Sequence, residues 1–72
     1  MIYIVAKQNI GSPRTFTRPN ALAGALRKAG ARDVSFRPDN SIVVEWPVVG
    51  EVVYKVDAEG RVDEQLAWDL EP

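Results

Sequence analysis

A chain of 72 residues with neither cysteine nor histidine has to hold its fold by apolar burial alone. Disulfides and thiolate metal sites are excluded, and the commonest metal ligand and general base is missing. A domain of this length buries only about 60% of the surface its unfolded chain exposes. Its core supplies roughly 3–5 kcal/mol of net stability. One compact domain over residues 1–72 is expected, with self-association or a partner as the remaining aid to stability. Apolar residues at 46% and charged residues at 26% give the balance of a folded globular protein.

Hydrophobic period and turn chemistry set the order of elements. Residues 2–7 alternate with Ile2, Ile4 and Ala6 on one side and Tyr3 and Val5 on the other, which predicts a central strand covered on both faces. Gln8 to Arg18 reads as a connection, with Gly11-Ser12-Pro13 as its turn signal. A helix is predicted from Pro19 to Ala29. Pro19 suits the first turn, Thr17 or Asn20 can cap it, and Leu22, Leu26 and Ala29 form one stripe. Gly30 follows where a left-handed C-terminal cap needs it.

Val34 and Phe36, then Ile42, Val44 and Trp46, alternate around Pro38-Asp39-Asn40 and predict a β-hairpin. Pro47 ends its second strand, having no donor for a ladder. After Gly50, Val52, Tyr54 and Val56 begin a further strand. Asp57-Ala58-Glu59-Gly60 reads as a type I turn closed by a left-handed glycine. In residues 61–70 two periods compete. Val62, Leu66, Trp68 and Leu70 occupy even positions, while Val62, Leu66 and Leu70 also fit a helical stripe. A strand is preferred because period two accounts for Trp68 as well. The expected fold is α+β, a small β-α-β-β-β(-β) open sandwich with one helix packed on one face of an antiparallel sheet.

The net charge of -1 conceals a division. Residues 1–38 hold seven bases (Lys7, Arg14, Arg18, Arg27, Lys28, Arg32, Arg37) against Asp33, a net of +6. Residues 39–72 hold Lys55 and Arg61 against nine acids, a net of -7. Such asymmetry points to charged partners, unless the halves intermix in space and their charges interleave. The apolar run in Met-Ile-Tyr-Ile-Val-Ala-Lys is too short for a signal peptide and lacks a basic leader. No segment reaches the roughly eighteen apolar residues of a membrane span. A soluble cytoplasmic protein with no membrane partner is expected.

Catalysis is not expected. Ser12, Ser35 and Ser41 have no histidine to activate them, and Lys7, Lys28 and Lys55 lie in segments that predict exposure. The carboxylate pairs Asp57 with Glu59 and Asp63 with Glu64 sit in or near a turn, off the calcium-loop spacing. The glycines are scattered singly, so no phosphate loop forms. No cofactor, metal or catalytic residue is expected.

Three binding classes remain. The first is a protein-binding module, with two candidate surfaces. Asp57, Glu59, Asp63, Glu64 and Asp69 form an acidic run that can imitate a phosphate backbone and occupy a basic groove. One helix covers only one sheet face, so Ile2, Ile4, Phe36, Ile42, Val44, Trp46, Val52, Tyr54 and Val56 are assigned to the helix side. Tyr3, Val5, Val43 and Val53 then collect on the outer face, extended by Val48 and Val49, as a patch for a partner or a second copy. The C-terminal segment with Trp68 and Leu70 is the alternative cover. The second class is nucleic-acid binding by Arg14, Phe16 and Arg18 with Arg27 and Lys28, in which Phe16 stacks on a base. Phe16 packing under the helix start is the competing reading. The third is a self-associating structural subunit. Gly24, in mid-helix, either admits the close approach of a partner or is merely tolerated.

In size and charge division the chain resembles the small phage-encoded inhibitors of host defence complexes, anti-CRISPR proteins among them. That resemblance implies a non-enzymatic inhibitor on a basic surface of a nucleoprotein complex, and it carries no motif from which residue roles follow. The helix and hairpin from Leu22 to Trp46 resemble small double-stranded-RNA-binding-like toxins, whose histidine is missing here, so no nuclease activity is expected.

Overall fold

The computed structural model describes residues 2–71. Its elements are β1 (Tyr3–Lys7), β2 (Ile10–Phe16), α1 (Pro19–Lys28), β3 (Asp33–Arg37), β4 (Ser41–Trp46), β5 (Gly50–Lys55) and α2 (Glu64–Leu70). The α+β class holds, with a two-stranded sheet β1-β2 and a three-stranded sheet β3-β4-β5, both antiparallel.

Residues expected to be a connection form β2 instead. Gln8 and Asn9 make the turn, with Asn9 at a φ of 63°, and Tyr3 then lies opposite Phe16. All of β2 except Phe16 is exposed, so it offers no apolar alternation to read. Its Pro13 is tolerated because the strand is an edge.

This hairpin also decides which side of β1 goes inward. Tyr3 and Val5 are buried, whereas Ile4 and Ala6 are half-buried and Ile2 is 50% exposed. The expected assignment was the reverse. Period two fixes which residues alternate, not which set faces the core, and β1 is not a central strand of the larger sheet. It pairs with β2 on one side, and on the other it touches the chain at residues 61–62, where Ile4 bridges Arg61 in parallel and Val62 bridges Val56 antiparallel. That short segment joins the two sheets.

In α1 Leu22 and Leu26 are wholly buried. The N-cap is Arg18 and no side chain caps the helix. Thr17 precedes the cap and Asn20 already lies inside the first turn, so neither takes the expected role. The helix stops one residue early, leaving Ala29 as an exposed C-cap outside the buried stripe. Beyond it, Gly30 donates to the Arg27 carbonyl and Ala31 to that of Leu26, both at 3.0 Å. These two bonds make a Schellman cap, and Gly30 takes its φ of 116° without a Cβ penalty.

The main sheet contains the expected hairpin and the further strand beside it. Val34, Val44 and Val52 lie side by side, as do Phe36, Ile42 and Tyr54, and these rows face the core or pack against it. The intervening rows face away from both helices. In the 57–60 turn the Asp57 carboxylate accepts from the amides of Glu59 and Arg61, each at 2.9 Å. Gly60 closes it at a φ of 88°. A Cβ on Gly60 would collide with the Ile2 carbonyl oxygen, so only glycine lets β1 approach.

Residues 64–70 are a helix, not the expected strand. Asp63 caps it, accepting from the Gln65 amide at 3.0 Å. The helix buries Leu66, Ala67 and Leu70 and leaves Trp68 39% exposed. Trp68 was the residue on which the strand reading rested, and it faces outward. One apolar core takes side chains from both sheets and both helices. Among the described residues no helix is long and apolar enough to cross a membrane.

Candidate functional site

The two halves of the charge division meet along the seam between the β1–β2 hairpin and α2, where one ion pair, Arg14 with Glu71, crosses between them. The Lys7 ammonium donates to the Glu71 carbonyl at 2.5 Å and lies 4.6 Å from the centre of the Trp68 ring. Arg14 pairs with the Glu71 carboxylate at 3.0 Å. Glu64 accepts from the Gln8 amide at 2.5 Å. Basic and acidic halves interleave here, and these exposed pairs contribute little stability.

The acidic run is accordingly not a row of free carboxylates. Asp57 organises its own turn, Asp63 caps α2, Glu64 is bonded to Gln8, and Asp69 accepts from Tyr54 and Gln65. Glu59 remains, exposed and 3.9 Å from Arg61. Asp63 and Asp69, read from the sequence as binding carboxylates, each make a bond that holds the fold.

The basic set is dispersed too. Phe16 is buried in the core next to the helix start, so its ring is closed to a nucleic-acid base. Arg14 covers that ring at 5.1 Å. Arg27 bonds the Arg32 carbonyl and pairs with Asp33 at 3.4 Å. Arg18 and Lys28 stand exposed at opposite ends of α1. Nothing packs against Gly24, whose Cβ position is open.

Of the outer-face residues, Tyr3 and Val5 belong to the core. Val43 is buried on the far side of the sheet, outside the core cluster, and Val53 is 44% exposed. The bare apolar surface lies elsewhere, at the β4–β5 turn. Val48 is 97% exposed and Val49 74%. Beside them Trp46, Pro47, Val52, Gln65 and Asp69 line an open groove of about 610 Å³. Val48 and Val49 were expected to extend an apolar patch. Trp46 and Val52 were assigned to the helix side, and both pack against the core there while remaining half-buried. The signal in the sequence was a Pro-Val-Val-Gly turn, where loops ordinarily use polar residues.

A hydrogen-bonded clamp shapes this groove. The Trp46 indole N–H donates to the Tyr54 hydroxyl at 2.8 Å, and that hydroxyl donates to Asp69 Oδ2 at 2.5 Å. Gln65 Nε2 holds the other Asp69 oxygen at 2.9 Å. Burial, together with the bond to Asp69, pushes the Tyr54 phenol well above the ordinary tyrosine range. The phenol therefore stays protonated and keeps donating. The clamp fixes α2 against β4 and β5 and holds one carboxylate at the rim of an apolar surface.

Comparison with protein-family models, with curated proteins and with solved structures finds no match.

Proposed function

We propose that the chain is a non-enzymatic protein-binding module whose contact surface is the β4–β5 turn and the groove beside it. The observation that carries this is the exposure of Val48 and Val49, 97% and 74%. A turn needs glycine, asparagine or aspartate for its backbone, and two β-branched apolar residues there add nothing to the fold. Continuous with Trp46 and Val52, they make an apolar patch of the kind that marks interaction sites. The single charge lining the groove is Asp69, and the charged residues nearest the turn in sequence are Glu45 and Glu51. A partner that fits presents an apolar projection flanked by lysine or arginine. Two copies meeting turn to turn would oppose like charges, which favours a different protein. This keeps the protein contact expected from the sequence and moves it from the acidic run, whose carboxylates other than Glu59 are hydrogen-bonded within the fold, to the turn.

The test is capture from nuclease-treated lysate of the source cells, with the native chain and with a Val48→Asp, Val49→Asp double variant. The reading expects a protein held by the native chain and lost from the variant, with melting curves unchanged. A partner retained by the variant, or held only when nucleic acid is left intact, overturns it.

A further inference from the structure

The outer face of the main sheet sorts its side chains by charge. Antiparallel pairing sets Asp33, Glu45 and Glu51 side by side at one end of the face. Two residues along each strand come Ser35, Val43 and Val53, and two further come Arg37, Ser41 and Lys55. At a strand rise of about 3.3 Å per residue, the acidic and basic rows lie roughly 13 Å apart, with the uncharged row between them.

Within one molecule this arrangement is unfavourable at its acidic end. Like charges directly opposite each other on neighbouring strands destabilise a sheet, and Glu45 faces both Asp33 and Glu51. Arg27 offsets Asp33 at 3.4 Å, whereas neither Glu45 nor Glu51 has an ion pair among the described residues. The carboxylates do not converge as metal ligands either. At the other end Asp39, bonded by the Ser41 hydroxyl at 2.5 Å, lies near Arg37 and Lys55 and offsets one of their two charges. Both helices pack on the opposite face, and on this one Asp33, Ser35, Arg37, Glu45, Glu51, Val53 and Lys55 are exposed while Ser41 and Val43 are buried.

The geometry points to a second copy of this chain as the occupant of the face. A two-fold axis through the middle row lays each copy's acidic row on the other's basic row, so both contacts form at once. Val53, 44% exposed, then gains an apolar neighbour at the centre. A uniformly charged partner would match one end of the face and be repelled by the other, and nucleic acid would meet the carboxylate row. Three strands about 4.8 Å apart, with rows spanning roughly 13 Å, make a face of a few hundred Å² by order of magnitude, below the roughly 800 Å² per partner of a standard interface. The dimer is therefore weak, concentration-dependent and sensitive to salt. It leaves the two β4–β5 turns at opposite ends, so it is independent of the partner site proposed above.

Sedimentation equilibrium over a concentration series, in about 0.02 M and about 0.5 M salt, tests it. The native chain self-associates at low salt, and association weakens at least tenfold at high salt. Glu45→Lys and Lys55→Glu are each folded and monomeric at low salt, and Glu45→Lys melts no lower than the native chain because it relieves the cross-strand repulsion. Mixing the two variants restores a dimer, because each reversed residue then meets an opposite charge on its partner. A native chain that stays monomeric up to about 1 mM at low salt, or a dimer indifferent to both substitutions, overturns the proposal. Neither result bears on Val48 and Val49.

Discussion

Replacing Tyr54 with phenylalanine removes one oxygen from a fully buried ring and takes two hydrogen bonds with it. The bond to Asp69 involves a carboxylate, a class that contributes about 1.5–3 kcal/mol, and the bond from Trp46 is neutral, about 0.5–1.5 kcal/mol. Trp46 and Asp69 are both half-buried, and Asp69 keeps its bond from Gln65. Water can therefore solvate what the hydroxyl leaves behind, and the net loss should sit near the low end, about 2 kcal/mol. In a chain this short each kcal/mol moves Tm by about 4–8 °C, so the variant should melt roughly 8–16 °C below the native protein. Thermal unfolding followed by circular dichroism measures this, and an Asp69→Asn partner completes a double-mutant cycle with non-additive losses. The sign of the pH dependence follows from the raised phenol. Below the ordinary value of 10.0 both folded and unfolded chains keep the proton, and the clamp contributes fully. Above it the unfolded chain releases a proton that the folded chain retains, so native stability falls and the gap to Tyr54→Phe narrows. A variant melting within about 2 °C of native, or a gap that widens with alkali, would refute the clamp.

Core truncations should be severe: Leu26→Ala, Val44→Ala and Leu66→Ala, all at wholly buried sites, should each cost about 2–4 kcal/mol in urea unfolding. Gly60→Ala should cost at least about 2 kcal/mol, from its left-handed backbone and the collision with Ile2. Gly24→Ala, exposed in mid-helix with open space around it, should instead stabilise by about 0.5–1 kcal/mol; paired melting curves compare the two. Asp63→Ala should lose about 1 kcal/mol with the cap of α2, and Asp63→Asn should recover most of it, as read by far-UV circular dichroism on heating.

Residues whose local chemistry allowed one solution were legible in the sequence. Pro19, the Leu22–Leu26 spacing and Gly30 fixed α1, and Pro38-Asp39-Asn40 marked the turn of the hairpin it closes. What escaped had two solutions or no apolar signal. β1 is apolar on both sides, so its orientation waited on β2, and β2 is an exposed edge whose only buried residue is Phe16. In residues 61–70 both periods fitted, and the choice turned on Trp68, whose ring packs against the Lys7 ammonium at the surface and not in the core. The Asp63 cap was the deciding signal and was read as a binding carboxylate. The same error ran through the acidic set, since charge in sequence does not show which carboxylates already have donors. The Val48-Val49 turn was visible, but its role depended on Trp46 and Val52 being only half-buried.

The proposed function requires the β4–β5 turn, not the carboxylates of the C-terminal half, to be the surface that meets a partner. Placing the photo-reactive residue p-benzoylphenylalanine at position 48 in one chain, and at position 58 in another, separates the two directly. Ala58 is exposed in the turn between Asp57 and Glu59, so neither replacement disturbs the core. Irradiation in nuclease-treated lysate should give a discrete cross-linked protein from position 48 and none from position 58. A product from position 58 with none from position 48 would contradict the account and return the contact to the acidic face.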